Sequence, residues 1–213
     1  MTGARPSRTL RAFVAAALVC VVAAACSSSK HSATKPSTPA EVASTQVALK
    51  IGKVDVESAG PSVNVDKSTQ NAVVARSQQY VATAMIAPLS TGSLGSGYAS
   101  LFDDGVRLGA TTTDANTLTD AGIGKTTGFD EKTTPVTISA LVDQLGGIDY
   151  LATNFTVNIN ATTADGPATI ARTVELTFAP SGKNWLVTAY RVHAVRKLPS
   201  GTTSTTANAG GGA

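Results

Sequence analysis

Residues 12–25 form an unbroken apolar run, Ala-Phe-Val-Ala-Ala-Ala-Leu-Val-Cys-Val-Val-Ala-Ala-Ala, behind a start that carries Arg5, Arg8 and Arg11 and no acid. The run is shorter than the roughly 20 residues a membrane-spanning helix needs. It offers no polar face to water, as a surface helix must. A basic start, a short apolar centre and small residues at its end predict an export signal over 1–25. Residues 26–45 are rich in Ser, Thr, Pro, Ala and Lys, with almost no large apolar side chain. They bury too little to order themselves, so a disordered tether is expected. Residues 199–213, mostly Gly, Ser, Thr, Ala and Asn, read as a second disordered tail. The folded domain is placed at 46–198.

Inside that domain the periodicity changes along the chain. Leu49 and Ile51 share one parity and Val54 and Val56 the other, across Gly52, which suits an extended arm or a bulged edge strand. Gly60-Pro61 ends it. From Ser68 the spacing of Val73, Ser77, Tyr80 or Val81, and Ala84 is helical, with Asp66 or Ser68 as cap and Pro88 as a stop or kink. Residues 98–108 predict a second, shorter helix or helix pair, with Asp103-Asp104 as a polar pair at its C-terminal end. A short helical turn is expected around 115–121. Strands follow from Pro135. Val136, Ile138 and Ala140 alternate with Thr137, Ser139 and Leu141. The clearest alternation is Leu151, Thr153, Phe155, Val157, Ile159 and Ala161. Ile170, Arg172, Val174, Leu176 and Phe178 repeat the pattern after Asp165-Gly166-Pro167. The last strand, 185–195, puts Trp185 and Val187 on one face and Leu186, Tyr190 and Val192 on the other. Four strands joined by short turns predict an antiparallel meander. Helices followed by strands predict an α+β fold, with N-terminal helices packed on a curved antiparallel sheet of about four strands.

Charge and cysteine content narrow the setting. The chain has 17 Lys+Arg against 14 Asp+Glu, but removing residues 1–25 leaves 14 of each. A neutral mature chain argues against nucleic-acid binding, which needs a basic face. The two cysteines are Cys20, inside the apolar run, and Cys26 just after it, so no intramolecular disulfide is expected in the mature chain. A leftover cysteine in an exported protein is paired between chains, reactive or modified. Ala23-Ala24-Ala25 satisfies an A-x-A cleavage site immediately before Cys26. This resembles the bacterial lipoprotein signal, whose cysteine becomes the lipidated first residue of the mature chain. Ala23 stands where that signal usually has Leu, and ordinary secretion without a lipid is the alternative. The resemblance implies a palmitate-type acyl anchor on Cys26, which holds the chain on the extracytoplasmic face of the cell membrane.

Few residues carry recognisable chemistry. Gly122-Ile-Gly124-Lys125-Thr126 lacks the P-loop's first glycine, since Thr119 occupies that position, and no strand precedes it. Gly92, Gly95 and Gly97 follow a helix instead of a strand, unlike the dinucleotide fingerprint. Asp114, Asp120, Asp130 and Glu131 do not have calcium-loop spacing. His31 lies in the tether, which leaves His193 too isolated for a metal set. Asn154-Phe-Thr156 and Asn160-Ala-Thr162 match the glycosylation triplet by accident of Thr-rich strands. Arg172 interrupts an apolar face and is expected to pair with an acid on a neighbouring strand or to snorkel at an edge. No cofactor is expected.

A long first helix, a short second one and antiparallel strands ending in Trp185-Leu-Val187-Thr-Ala-Tyr190 after a Ser-Gly turn resemble the NTF2-like cone over residues 66–197. The resemblance is closest to exported or membrane-tethered members from high-GC Gram-positive bacteria, including those associated with mammalian-cell-entry transport systems. It implies a curved sheet that encloses a pocket, with Tyr80, Phe102, Tyr150, Phe155, Trp185 and Tyr190 as candidate lining residues. Enzymes of that superfamily use an Asp or His base in the cone, a role that would fall to His193 beside Tyr80, Tyr150 or Tyr190. Strand parity opposes it, because His193 shares a face with Arg191 and not with Tyr190. The leading expectation is therefore a non-enzymatic lipoprotein that serves as an interaction or accessory module in the envelope. A binding protein for a small apolar ligand or lipid comes second, and an isomerase or hydrolase built on His193 last. An enclosed apolar pocket favours the ligand; a filled interior with an apolar outer patch favours a protein partner.

Overall fold

The computed structural model describes residues 48–58, 60 and 63–211 of the chain. The expected signal, Cys26 and the expected tether lie outside them. Among the described residues seven strands form one mixed sheet: β1 (Ile51–Ser58), β2 (Gly128–Thr133), β3 (Val136–Val142), β4 (Ile148–Thr163), β5 (Gly166–Ser181), β6 (Asn184–Lys197) and β7 (Thr203–Gly211). Their order is β1-β3-β4-β5-β6-β7, and β2 pairs with the far half of β4 on the same side as β3. The β1–β3 pair is parallel and the other pairs are antiparallel.

This overturns the expected α+β cone of about four strands. Strand accounts for 48% and helix for 27%, and the sheet is mixed, not a pure meander. The four strands of the meander are present as β3 to β6. The added strands are those whose side chains carry little apolar alternation. β7, Thr-Ser-Thr-Thr-Ala-Asn-Ala-Gly-Gly, replaces the expected disordered tail over residues 203–211. It is held by continuous pairing with β6, from Lys197–Thr203 to Ala189–Gly211. β1 reaches across the helical region to pair with β3, a contact that local pattern does not reveal.

In β4 the residues Leu151, Thr153, Phe155, Val157, Ile159 and Ala161 are all buried, as are Ile170, Arg172, Val174, Leu176 and Phe178 in β5. Period-two alternation thus defines one core face. The last strand departs from the expected parity. Thr177 pairs with Ala189 but Phe178 pairs with Val187, so one extra residue, Thr188, forms a bulge. The bulge turns Val187 onto the same buried face as Tyr190 and Val192.

The helices cover that face. α1 (Lys67–Val81) begins at Asp66, whose Oδ1 accepts from the Thr69 amide at 2.9 Å, and buries Val73, Val74, Ser77, Tyr80 and Val81. The helix continues through a π-helical turn, Ala82–Ile86, into α2 (Ala87–Thr91), 25 residues in all. Pro88 does not end it. The Ala87 amide bonds back to Ala82 O, and Pro88 has no N–H to give to Ala84 O. The carbonyls of Thr83 and Ala84 instead accept from distant amides, Gly95 N at 2.8 Å and Asp120 N at 2.9 Å. Gly92, at φ 82°, closes α2 with its amide on Pro88 O. A 3₁₀ turn, Ala99–Leu101, leads to α3 (Asp104–Thr111). Asp103 caps α3 by accepting from Gly105 N, so the Asp103-Asp104 pair lies at a helix start and not at the expected C-terminal end. α4 (Ala115–Leu118) and a second 3₁₀ turn, Ala121–Ile123, complete the layer.

Candidate functional site: a filled interior and an open outer face

Between helices and sheet the space is packed. Tyr80 and Phe102 are fully buried, Phe155 is 1% exposed and Tyr190 4%. Tyr80, Tyr98, Phe102 and Tyr190 make a chain of ring contacts. The Tyr98–Phe102 and Phe102–Tyr190 pairs meet edge to face at 5.2 and 5.9 Å. Trp185 is half-buried against the same core. Of the six candidate lining residues, four are therefore core residues, Trp185 packs against them from the side, and Tyr150 stands apart on the outer face, 45% exposed. Tyr98, not singled out in the sequence, completes the aromatic chain.

Every phenol in the interior has an acceptor. Tyr80 donates to Leu118 O at 2.6 Å, Tyr98 to Ala110 O at 3.0 Å and Tyr190 to the Asp114 carboxylate. Burial raises all three phenols well above their ordinary value, against the lowering field of Arg172 at Tyr80 and Tyr98. At Tyr190 the bond to Asp114 raises it further. They act as fixed donors.

Beneath α4 lies a buried ionic cluster. Asp120, carried by the loop that docks on Ala84 O, places Oδ1 2.6 Å from Arg172 Nη2 and 3.3 Å from Arg196 Nε. Arg172 also donates to Leu118 O and Thr119 O. Arg196 donates to Asn116 O, Thr119 O and Thr206 Oγ1. Burial and the neighbouring Arg172 guanidinium lower the Arg196 value, with Asp120 opposing. Arg172 thus neither pairs with a strand acid nor snorkels: it is 0% exposed and its partner comes from the helical layer. Two guanidiniums share one carboxylate among cradling carbonyls. The arrangement can hold α4 and its loop onto β5, β6 and β7.

His193 is exposed on the outer face, in a row with Thr156, Thr173 and Ala207. Among the described residues no ion pair involves it, and no group of three His, Cys, Asp or Glu gathers at metal-binding range. Thr126 of the Gly122–Thr126 motif is buried, and both its amide and its hydroxyl donate to Leu89 O in α2. That motif is a structural lock.

The clefts of note are open to solvent. One of about 410 Å³ runs over the outer face by Asn158, Asn160, Thr169 and Lys197, and one of about 470 Å³ lies between loops near Ile123, Asp165 and Pro199. The third, about 270 Å³, is lined by Glu57, Ser139, Leu141, Tyr150, Ala152 and Thr177. Glu57 pairs with Leu141 and Leu141 with Tyr150, so the three side chains form one row across β1, β3 and β4. Leu141 is 48% exposed, and Leu145 at the adjoining β3–β4 turn is 93% exposed. Most of the remaining outer face is Thr, Ser, Asn and Ala. Comparisons with protein-family models, with curated proteins and with solved structures return no match to this chain.

Proposed function

We propose that this protein is an exported lipoprotein, acylated at Cys26 and held on the extracytoplasmic face of the cell membrane, where its folded domain is a non-enzymatic interaction module. The packed interior carries this reading. The aromatic residues that would line an internal ligand pocket fill it instead, which disfavours a small apolar ligand held inside. The exposed state of His193, with no carboxylate partner among the described residues, disfavours an isomerase or hydrolase. The large apolar side chains available to a partner on the sheet's outer face are Leu141 and Tyr150. Among the described residues no helix is long and apolar enough to cross a membrane, so the proposed attachment rests on Cys26 and its signal.

Growth with an alkyne fatty acid, comparing wild type with Cys26→Ser, tests the anchor. Label on the wild-type chain alone, with release of Cys26→Ser from the membrane fraction, is the expected result. Equal labelling of both chains, or a mature chain that retains residues 1–25, refutes it.

A further inference from the structure

We propose that the end of the sheet formed by β1 and the β3–β4 hairpin is a docking site for a basic, extended polypeptide segment of a partner protein. This deepens the interaction-module reading and rests on it. The segment would set a large apolar side chain over Leu141 and Tyr150 and a Lys or Arg against Glu57.

Three observations converge on this end. First, exposed apolar side chains collect there. Leu141, Tyr150 and Leu145 belong to one hairpin. Second, they border a shallow recess that is open to solvent. The cleft of about 270 Å³ has Leu141, Tyr150 and Ala152 as walls, Ser139 and Thr177 as hydroxyl partners and Glu57 at the rim. That volume suits one large side chain, and hydroxyls beside it suit the polar groups of an extended backbone. Third, the charge at the cleft itself is negative. Glu57 is the one charged residue of its lining, and from residue 133 to residue 171, the hairpin beside it, the chain contains no Lys or Arg. Lys53 on β1 is engaged by Asp55 at 2.8 Å, and Glu57 has no ion pair among the described residues. An apolar recess with an acidic rim is complementary to a cationic segment with an apolar anchor, and it repels an anionic lipid surface.

The turn is presented rigidly. Asp143 Oδ1 accepts from the amides of Leu145 and Gly147, both at 2.7 Å, and Gly146 takes φ 89°. Leu145 is therefore displayed at a fixed position beside the cleft.

The test is a phage-displayed library of random 12-residue peptides panned on the full-length protein in nanodiscs. The best peptide is then synthesised and titrated by fluorescence anisotropy. The expected consensus has a Lys or Arg within three positions of a large aliphatic or aromatic residue. Its binding should weaken with salt, and by about tenfold or more in Tyr150→Ala, Leu141→Ser and Glu57→Lys. All three positions are on the surface, so unchanged melting curves certify folded variants. Absence of a basic consensus, or binding that survives these substitutions, overturns the site. So does phosphatidylglycerol-vesicle binding by Cys26→Ser that depends on the same residues, which would make the face a membrane contact. Peptides that bind through β7 would remove this site and leave the interaction module standing. Failure of fatty-acid labelling would remove the anchor and leave this site standing.

Discussion

Asp120 is the residue on which the interior depends most. Among the described residues its carboxylate is the one that touches the two buried guanidiniums of Arg172 and Arg196. Removing one partner of a buried ionic group leaves uncompensated charge. Asp120→Ala is expected to destabilise by about 3–5 kcal/mol in urea unfolding. Adding Arg172→Met should recover part of that loss, so the double variant falls short of the sum of the singles. Titration gives a second test. The raised phenols of Tyr80 and Tyr190 stay protonated in the fold, whereas unfolded tyrosine ionises near 10.0. Their contribution is complete below that value and declines as the pH rises above it, because the unfolded state then binds fewer protons. Phenolate absorbance from Tyr80, Tyr98 and Tyr190 should therefore appear together with loss of near-ultraviolet dichroism, not before it. Asp66 acts at the opposite limb. The Thr69 hydroxyl and amide lower its carboxyl below 3.8. Its help to α1 is complete above that value and is lost as the pH falls through the lower folded one. Asp66→Asn, which keeps the cap acceptor, should flatten the acid limb of the melting-temperature profile.

Element by element, legibility in the sequence followed burial. β4 could be read because one face is wholly buried and the other exposed, which enforces strict alternation from Leu151 to Ala161. β7 could not, because its residues are small and polar and its place is set by β6 and by Asn208, which donates to Asp114. Val187 lies on the face opposite to the one its spacing from Tyr190 predicts, because a one-residue bulge at Thr188 reverses the parity. Pro88 reads as a stop or a kink, but the π turn before it absorbs the missing amide, carries the helix past it and frees carbonyls that dock the loop bearing Asp120. Gly210 shows how closely β7 seats. A Cβ there would lie 2.9 Å from Tyr190 Cε2 and closer still to Cζ and the hydroxyl. Gly210→Ala should cost about 1–3 kcal/mol through overpacking. The same substitution should speed hydrogen exchange along β6.

For the molecule as a whole, the six candidate aromatic residues divide by layer, and stability measurements should divide with them. Phe155→Ala, in the core, is expected to cost about 3–5 kcal/mol. Tyr150→Ala, on the outer face, should change stability by no more than about 0.5 kcal/mol. Such a split would mean that the part of the proposed site legible in the sequence was one residue, Tyr150. Glu57 and Leu141 join it only through the parallel β1–β3 pairing. That pairing also bears on mechanics. β1 is the first strand of the domain, and it is hydrogen-bonded along its length to β3. Tension arriving from a membrane-held N-terminus would pull along the strand axis and load those rungs in shear, all at once, instead of peeling them one by one. A stretched envelope would then strain the very edge that borders the acidic recess, so force on the anchor and occupancy of the recess would be coupled through a single strand.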